Sequence, residues 1–228
     1  MGDSHEVGIQ GLGMSVGEFD LLVFGASGKT GVQLARHAQS RGLRVAAMLR
    51  AGRDEADLAA LAVHVLRGDA FEREDCARVI AQTRPAAIVS LLGGRDAQGR
   101  RIDTVGNINV IDAAQGWQAD ARLLLLTSMG CDEQFQYMPP QVQQLLGEAL
   151  HAKTEAERHL RHSTLRWTIV RPGGLADAPG VGRYRASEQM PMDAGAYLSR
   201  ADVALATLDL LAASAHVGKV FTLAASQD

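Results

Sequence analysis

Two cysteines in 228 residues, Cys76 and Cys131, set the first exclusion. They form no CxxC pair and are too few to build a metal site, so no metal is expected and both thiols read as reduced in a cytoplasmic protein. Charge of one sign is also lacking. Lys plus Arg number 23 against 26 Asp plus Glu, a net −3 that gives no general case for nucleic acid or an anionic membrane as partner. Strongly apolar runs such as Leu123 to Leu126 are far too short to span a bilayer. The opening stretch "MGDSHEVGIQGLGMSVGEF" has neither the basic nor the apolar region of a secretory signal, and Glu6 stands where a myristoylation start requires Ser or Thr. Residues 1–18 therefore read as a flexible tail. No Pro/Ser-rich linker, low-complexity segment or solenoid repeat divides the rest of the chain, so 19–228 reads as a single domain. The 46% hydrophobic content supplies a sizeable core.

What is present alternates. Apolar strand-like runs occur at Asp20–Phe24, Leu43–Arg50, Val63–Asp69, Ala86–Gly94, Ala121–Ser128, Arg166–Pro172 and Lys219–Ala224. Between them lie helix patterns, including "RIDTVGNINVIDAAQGW" from Arg101 and "QVQQLLGEALHAKTEAERHLRHS" from Gln141. Ser199 and Asp202 form a capping-box pattern that opens "RADVALATLDLLAA". Strands alternating with helices of ten or more residues predict an α/β, Rossmann-like, doubly wound parallel sheet in three layers. Ligands of such a sheet bind beyond the carboxyl ends of its strands.

The first of those ends carries "GASGKTG", Gly25 to Gly31. Gly28-Lys29-Thr30 mimics the tail of a P-loop, but a P-loop needs a glycine five residues before Gly28, and that position is Val23. The remaining reading is GxxGxxG, with Gly25, Gly28 and Gly31 letting the backbone approach a dinucleotide pyrophosphate on the positive end of the next helix. The helix stripe of Val32, Leu34, Ala35 and Ala38 fits that reading. At the end of the second strand, where an NAD enzyme carries an acid for the ribose 2′-hydroxyl, stands Arg50, with Arg53 close behind. A guanidinium matches a 2′-phosphate in charge and fork geometry, so NADP(H) is the predicted cofactor.

With these residues in view the chain resembles the atypical short-chain dehydrogenase/reductase superfamily. The matching pieces are "GASGKTG", Arg50, Gly68–Asp69, "TSMG" at Thr127–Gly130 and "KTEAERHLRHSTLRWTIVRPG" at Lys153–Gly173. "YMPPQVQ" and "RPGGLADAPGVGRY" look most like the small NAD(P)H-binding reductases of the biliverdin reductase B/flavin reductase type. The resemblance implies Gly25, Ser27, Lys29, Thr30 and Arg50 at the phosphates and Asp69 near adenine. It further implies Leu92 and Gly93 along the ribose, and Pro172 and Gly173 near the nicotinamide. Ser128 stands where the family's catalytic serine stands, and Thr127 beside it reads chiefly as structural. Lys153 matches the lysine that holds ribose hydroxyls, so Ser128 and Lys153 are the candidate catalytic pair.

The family's YxxxK tyrosine is absent, because Ala149 lies four residues before Lys153. Ketone reduction needs a positioned acid, and His151, two residues from Lys153, points to another helix face. A flavin- or quinone-type acceptor spreads the added charge over a conjugated system and can take its proton from water. The expected activity is therefore NADPH-dependent hydride transfer to a small planar acceptor. Ser128 would be its donor, Tyr137 and Met138 part of its wall, and Tyr184, Met190 and Met192 part of a C-terminal lid at Gly180–Met192. A second reading is a non-catalytic NADP(H)-binding redox sensor or assembly factor, with "DEQFQYMPPQVQQ" as a surface for a protein partner. An epimerase or dehydratase acting on a nucleotide sugar is a weaker third, since the chain leaves little room for a sugar-binding domain. The expected state is a monomer or a dimer.

Overall fold

The computed structural model describes residues 18–190 and 197–226. The expected tail, apart from Glu18, and Met192 of the expected lid lie outside the described residues. The chain runs β1 (Phe19–Phe24), α1 (Lys29–Ser40), β2 (Val45–Leu49), α2 (Ala56–Ala59), β3 (His64–Arg67), α3 (Arg73–Thr83), β4 (Pro85–Ser90) and α4 (Val105–Trp117). It continues through β5 (Arg122–Leu126), α5 (Pro140–Arg161), β6 (Arg166–Pro172), β7 (Leu175–Ala176), β8 (Tyr184–Ser187), β9 (Leu198–Ser199), α6 (Arg200–Ala212) and β10 (Lys219–Ala225). The main sheet has the order β3-β2-β1-β4-β5-β6-β10-β8. Its strands are parallel except β8, which pairs antiparallel with β10. The order reverses between β1 and β4, so their carboxyl ends diverge into a crevice.

Alternation along the central strands builds the two faces. Leu21 and Val23 of β1, with Leu124 and Leu126 of β5, pack under α1 and α6. Leu22 and Phe24, with Leu123 and Leu125, pack under α3, α4 and α5. Each such buried side chain contributes about 1.5–3 kcal/mol by leaving water. The three-layer Rossmann-like architecture read from the sequence is the observed one.

Differences from the sequence reading are local. The fourth helix begins at Val105, not Arg101. Before it, Asp96 accepts from the backbone N–H groups of Gln98 and Arg100 (3.0 and 2.8 Å), and Arg95 bridges Arg101, closing a tight loop with positive φ at Gly94 and Gly99. These side-chain bonds compete with helix formation. "DEQFQY" forms a 3-10 turn at Asp132–Tyr137, and the segment read as a lid contributes the edge strand β8. The N-cap half of the capping box is formed, since Ser199 Oγ accepts from Asp202 N at 2.9 Å, while the Asp202 carboxylate accepts instead from Val181 and Gly182 N–H.

Candidate functional site

The turn after β1 needs its glycines for separate reasons. Gly25 has φ +85°, and a Cβ there would come within 3.0 Å of the Leu91 backbone. Gly31 lies so close under the turn that a Cβ would sit 2.5 Å from Gly25 O. Gly28 is the N-cap of α1 in an extended conformation, and no side chain caps the helix. No acidic residue stands in the first turn of α1, so its N–H groups and positive end are available to an anion. Val23 is fully buried in β1, which leaves no place for the first turn of a P-loop.

A groove runs from this turn along the carboxyl edge of the sheet in both directions, with Gly25, Gly28 and Leu91 shared by its two halves. One half is lined by Ser27, Arg50, Arg53, Asp69, Leu92 and Gly93. Here the neighbouring arginines are occupied: Arg67 pairs with Glu55, Arg78 with Asp75 at 2.5 Å, and Arg95 with Glu148 at 2.5 Å. Among the described residues Arg50 and Arg53 have no carboxylate partner. The acids closest to them in sequence are engaged as well, since Asp54 accepts from Ala56 N–H and Glu55 holds Arg67. Asp69 also lines this half, and its carboxylate accepts from Phe71 N–H at 3.0 Å.

The other half is lined by Lys29, Thr30, Gly31, Thr127, Ser128, Lys153, Pro172 and Gly173. Ser128 is half-buried, and among the described residues its hydroxyl bonds the carbonyl of the next residue, Met129, at 3.1 Å. Thr127 Oγ1 is turned inward and donates to Glu157 Oε1 at 2.6 Å. Glu157 is fully buried against the equally buried Arg171, 2.6 Å away, and Arg171 also holds Glu133 at 2.5 Å. Burial works against the Arg171 charge, but the two carboxylates outweigh it and hold the guanidinium protonated. This buried pair lies beneath Thr127, the residue before Ser128. Burial and the nearby Glu157 charge push the Cys131 thiol up to about 12, so it is not a nucleophile at neutral pH.

Lys29 and Lys153 both have acidic partners. Lys29 pairs with Asp177, which Arg200 holds from the other side at 2.9 Å. Lys153 Nζ lies 2.7 Å from Asp103 Oδ1. Arg200 and Leu175 line the groove and Asp103 and Asp177 contact its lysines, yet sequence reasoning does not name them. Only tertiary contact identifies them, since Asp177 is 148 residues from Lys29.

Other candidates lie apart. Tyr137 is 66% exposed on the 3-10 turn, and Met138 packs against Gly130. The Tyr184 hydroxyl donates to Asp209 at 2.7 Å on the far flank of α6. None of these three lines the groove. His151 packs at a tilt against Phe135, ring centroids 4.5 Å apart and planes at 44°, in a separate depression with Glu133 and Arg158. Among the described residues no cluster of His, Cys, Asp and Glu could hold a metal ion. No described helix is long and apolar enough to cross a membrane.

Known proteins fall in with this geometry. The solved ChuY anaerobilin reductase of Escherichia coli O157:H7 is 29% identical, with a TM-score of 0.79 over 91% of this chain and 98% of that one. A short-chain dehydrogenase/reductase of Veillonella parvula, solved with NADP, has a TM-score of 0.72 over 91% of this chain and 94% of that one; at 14% identity the likeness is one of fold. An uncharacterized chloroplastic protein of Arabidopsis thaliana is 28% identical over 177 residues, 71% of this chain, and the match spans 61% of that protein's length. Residues 25–214 match the NAD(P)H-binding family. The groove at the switch point, its glycine turn and that match make the chain a member of the NAD(P)H-binding family.

Proposed function

We propose that the protein is an NADPH-dependent reductase that passes hydride to a flat conjugated acceptor of flavin, quinone or bilin type. The observation that carries this reading is the asymmetry of the groove. One end offers two guanidiniums without carboxylate partners among the described residues. The other offers a hydroxyl and an ammonium, with Ala149 where an acid would stand.

In this reading Arg50 and Arg53 hold the 2′-phosphate, and Gly25, Ser27, Gly28, Thr30, Gly31 and the α1 N-terminus hold the pyrophosphate. Lys29 joins them by exchanging Asp177 for phosphate. Asp69, Leu92 and Gly93 flank adenine and ribose, Lys153 takes ribose hydroxyls, and Thr127, Pro172 and Gly173 shape the nicotinamide end. The bound cofactor supplies the hydride. Ser128 Oγ gives up its bond to the neighbouring carbonyl and donates to the acceptor atom on which charge develops. Leu175 lines this half of the groove, and Met129 Cε would lie 3.6 Å from a Cβ on Gly173, so both offer apolar surface to the acceptor. Proton delivery falls to water, which a delocalised anion tolerates and an alkoxide does not. The ChuY name adds an anaerobilin reductase to the reductases that resemble this chain. Two free, buried cysteines fit a reducing compartment, and we assign the protein to the cytoplasm on that ground.

The test is NADPH oxidation followed with FMN, a benzoquinone, biliverdin and a set of simple ketones. Turnover with the conjugated acceptors and little with ketones is the expected result. Tight NADPH binding without turnover would favour the second reading, a sensor or assembly factor. That reading draws on exposed apolar side chains near the start of α5: Tyr137 on the preceding 3-10 turn and Leu145 and Leu146 on the helix, 66%, 82% and 43% exposed.

A further inference from the structure

We propose that Asp103 is a positioning residue for Lys153, holding its ammonium at the nicotinamide ribose in place of the missing partner at position 149. This rests on the reading of Lys153 as a ribose ligand.

Lysine is a flexible four-carbon stem with a point charge, and something must fix where the charge lies. Ala149 offers no polar atom. Asp103 is 1% exposed although it closes a surface loop. Its Oδ2 accepts from Gly94 N–H at 2.9 Å and from Arg101 Nη1 at 3.1 Å. Among the described residues its buried Oδ1 has no aligned hydrogen bond and instead meets the Lys153 ammonium at 2.7 Å, a contact of charges. An ammonium has three donors, so one carboxylate oxygen leaves others for hydroxyls.

The frame around Asp103 is tied to the same helix that carries Lys153. Thr104 Oγ1 donates to Ala152 O at 3.0 Å, and Arg101 Nε reaches Glu148 at 3.3 Å. The pair also lies against the stretch read as the ribose segment. A Cβ on Gly93 would come 2.9 Å from Lys153 Nζ and 3.1 Å from Asp103 Oδ1. Lys153 lines the groove with only 16% of its side chain exposed, so the ammonium is held at the groove wall and not out in solvent.

The experiment measures dissociation constants of NADPH and of adenosine 2′,5′-bisphosphate, which lacks the nicotinamide ribose. Asp103→Asn, Asp103→Glu, Lys153→Ala and the Asp103→Asn/Lys153→Ala double variant are compared. Asp103→Asn should weaken NADPH about tenfold and leave the bisphosphate unchanged, and it should add nothing once Lys153 is gone. Asp103→Glu keeps the charge but displaces the ammonium, and should show the same split even if the Asn variant fails to fold. Equal weakening of both ligands, or additive losses in the double variant, would make Asp103 a merely structural residue and overturn the proposal. Wild-type NADPH affinity in either Asp103 variant would overturn it too. If Lys153→Ala itself binds NADPH normally, the ribose reading of Lys153 has failed, and this inference falls with it.

Discussion

Gly28 is the residue at which fold and binding come apart most cleanly. Gly25 and Gly31 cannot carry a side chain without colliding with backbone, so changing either tests the fold. At Gly28 the backbone is extended and an added Cβ meets only Gly25 O, at 3.3 Å. Gly28→Val should therefore keep most of the wild-type thermal stability while abolishing dinucleotide binding, because its methyls fill the space above the α1 N-terminus. Calorimetry with NADPH beside a melting curve checks this; retained binding would sink the assignment of the loop. Ser128→Ala should lower turnover on conjugated acceptors roughly five- to 150-fold, the worth of one hydrogen bond to developing charge, with NADPH affinity little changed. Undiminished kcat in steady-state kinetics would remove Ser128 from the mechanism. Both residues are legible in the sequence because glycine spacing and a strand-end serine are local signals. Asp103 and Asp177 are not, since each acquires its meaning from a lysine brought near by the fold.

Elements show the same division. β6 and α5 are joined beneath the site by Arg171 and Glu157, both fully buried. Arg171→Met would leave Glu157 buried with Arg161, 3.6 Å away, as its main remaining cation, and should destabilise the protein by about 3–5 kcal/mol. Urea unfolding measures this, and a loss below about 1 kcal/mol would mean the pair is not the tie described. In the sequence Arg171 is a strand end and Glu157 a helix residue, and nothing in their spacing pairs them. The start of α4 is misleading in the sequence because Ile102 and Val105 keep helical spacing into a loop that Asp96 holds closed with side-chain bonds. Periodicity records which face is apolar, not where the backbone is diverted. The edge strand β8 escapes the sequence for a related reason: "YRAS" has little apolar alternation, and its pairing with β10 fixes it as a strand.

At the scale of the whole molecule the sequence is most informative. Alternating apolar runs specify two buried faces, and the sheet order and helix layers come from right-handed crossovers. The same alternation puts the glycine turn, Arg50, Ser128 and Gly173 on one edge without any knowledge of contacts, which is why the groove is foreseeable and its lysine partners are not. Cofactor choice and hydride transfer meet in one quantity, the ratio of kcat/KM for NADPH to that for NADH with a quinone acceptor, in the wild type and in Arg50→Ala. The account predicts a wild-type ratio of at least about ten, since charge-assisted bonds to a 2′-phosphate are worth roughly 1.5–3 kcal/mol, and a ratio near one in Arg50→Ala. Equal use of the two cofactors by the wild type, or no turnover with either, would contradict it.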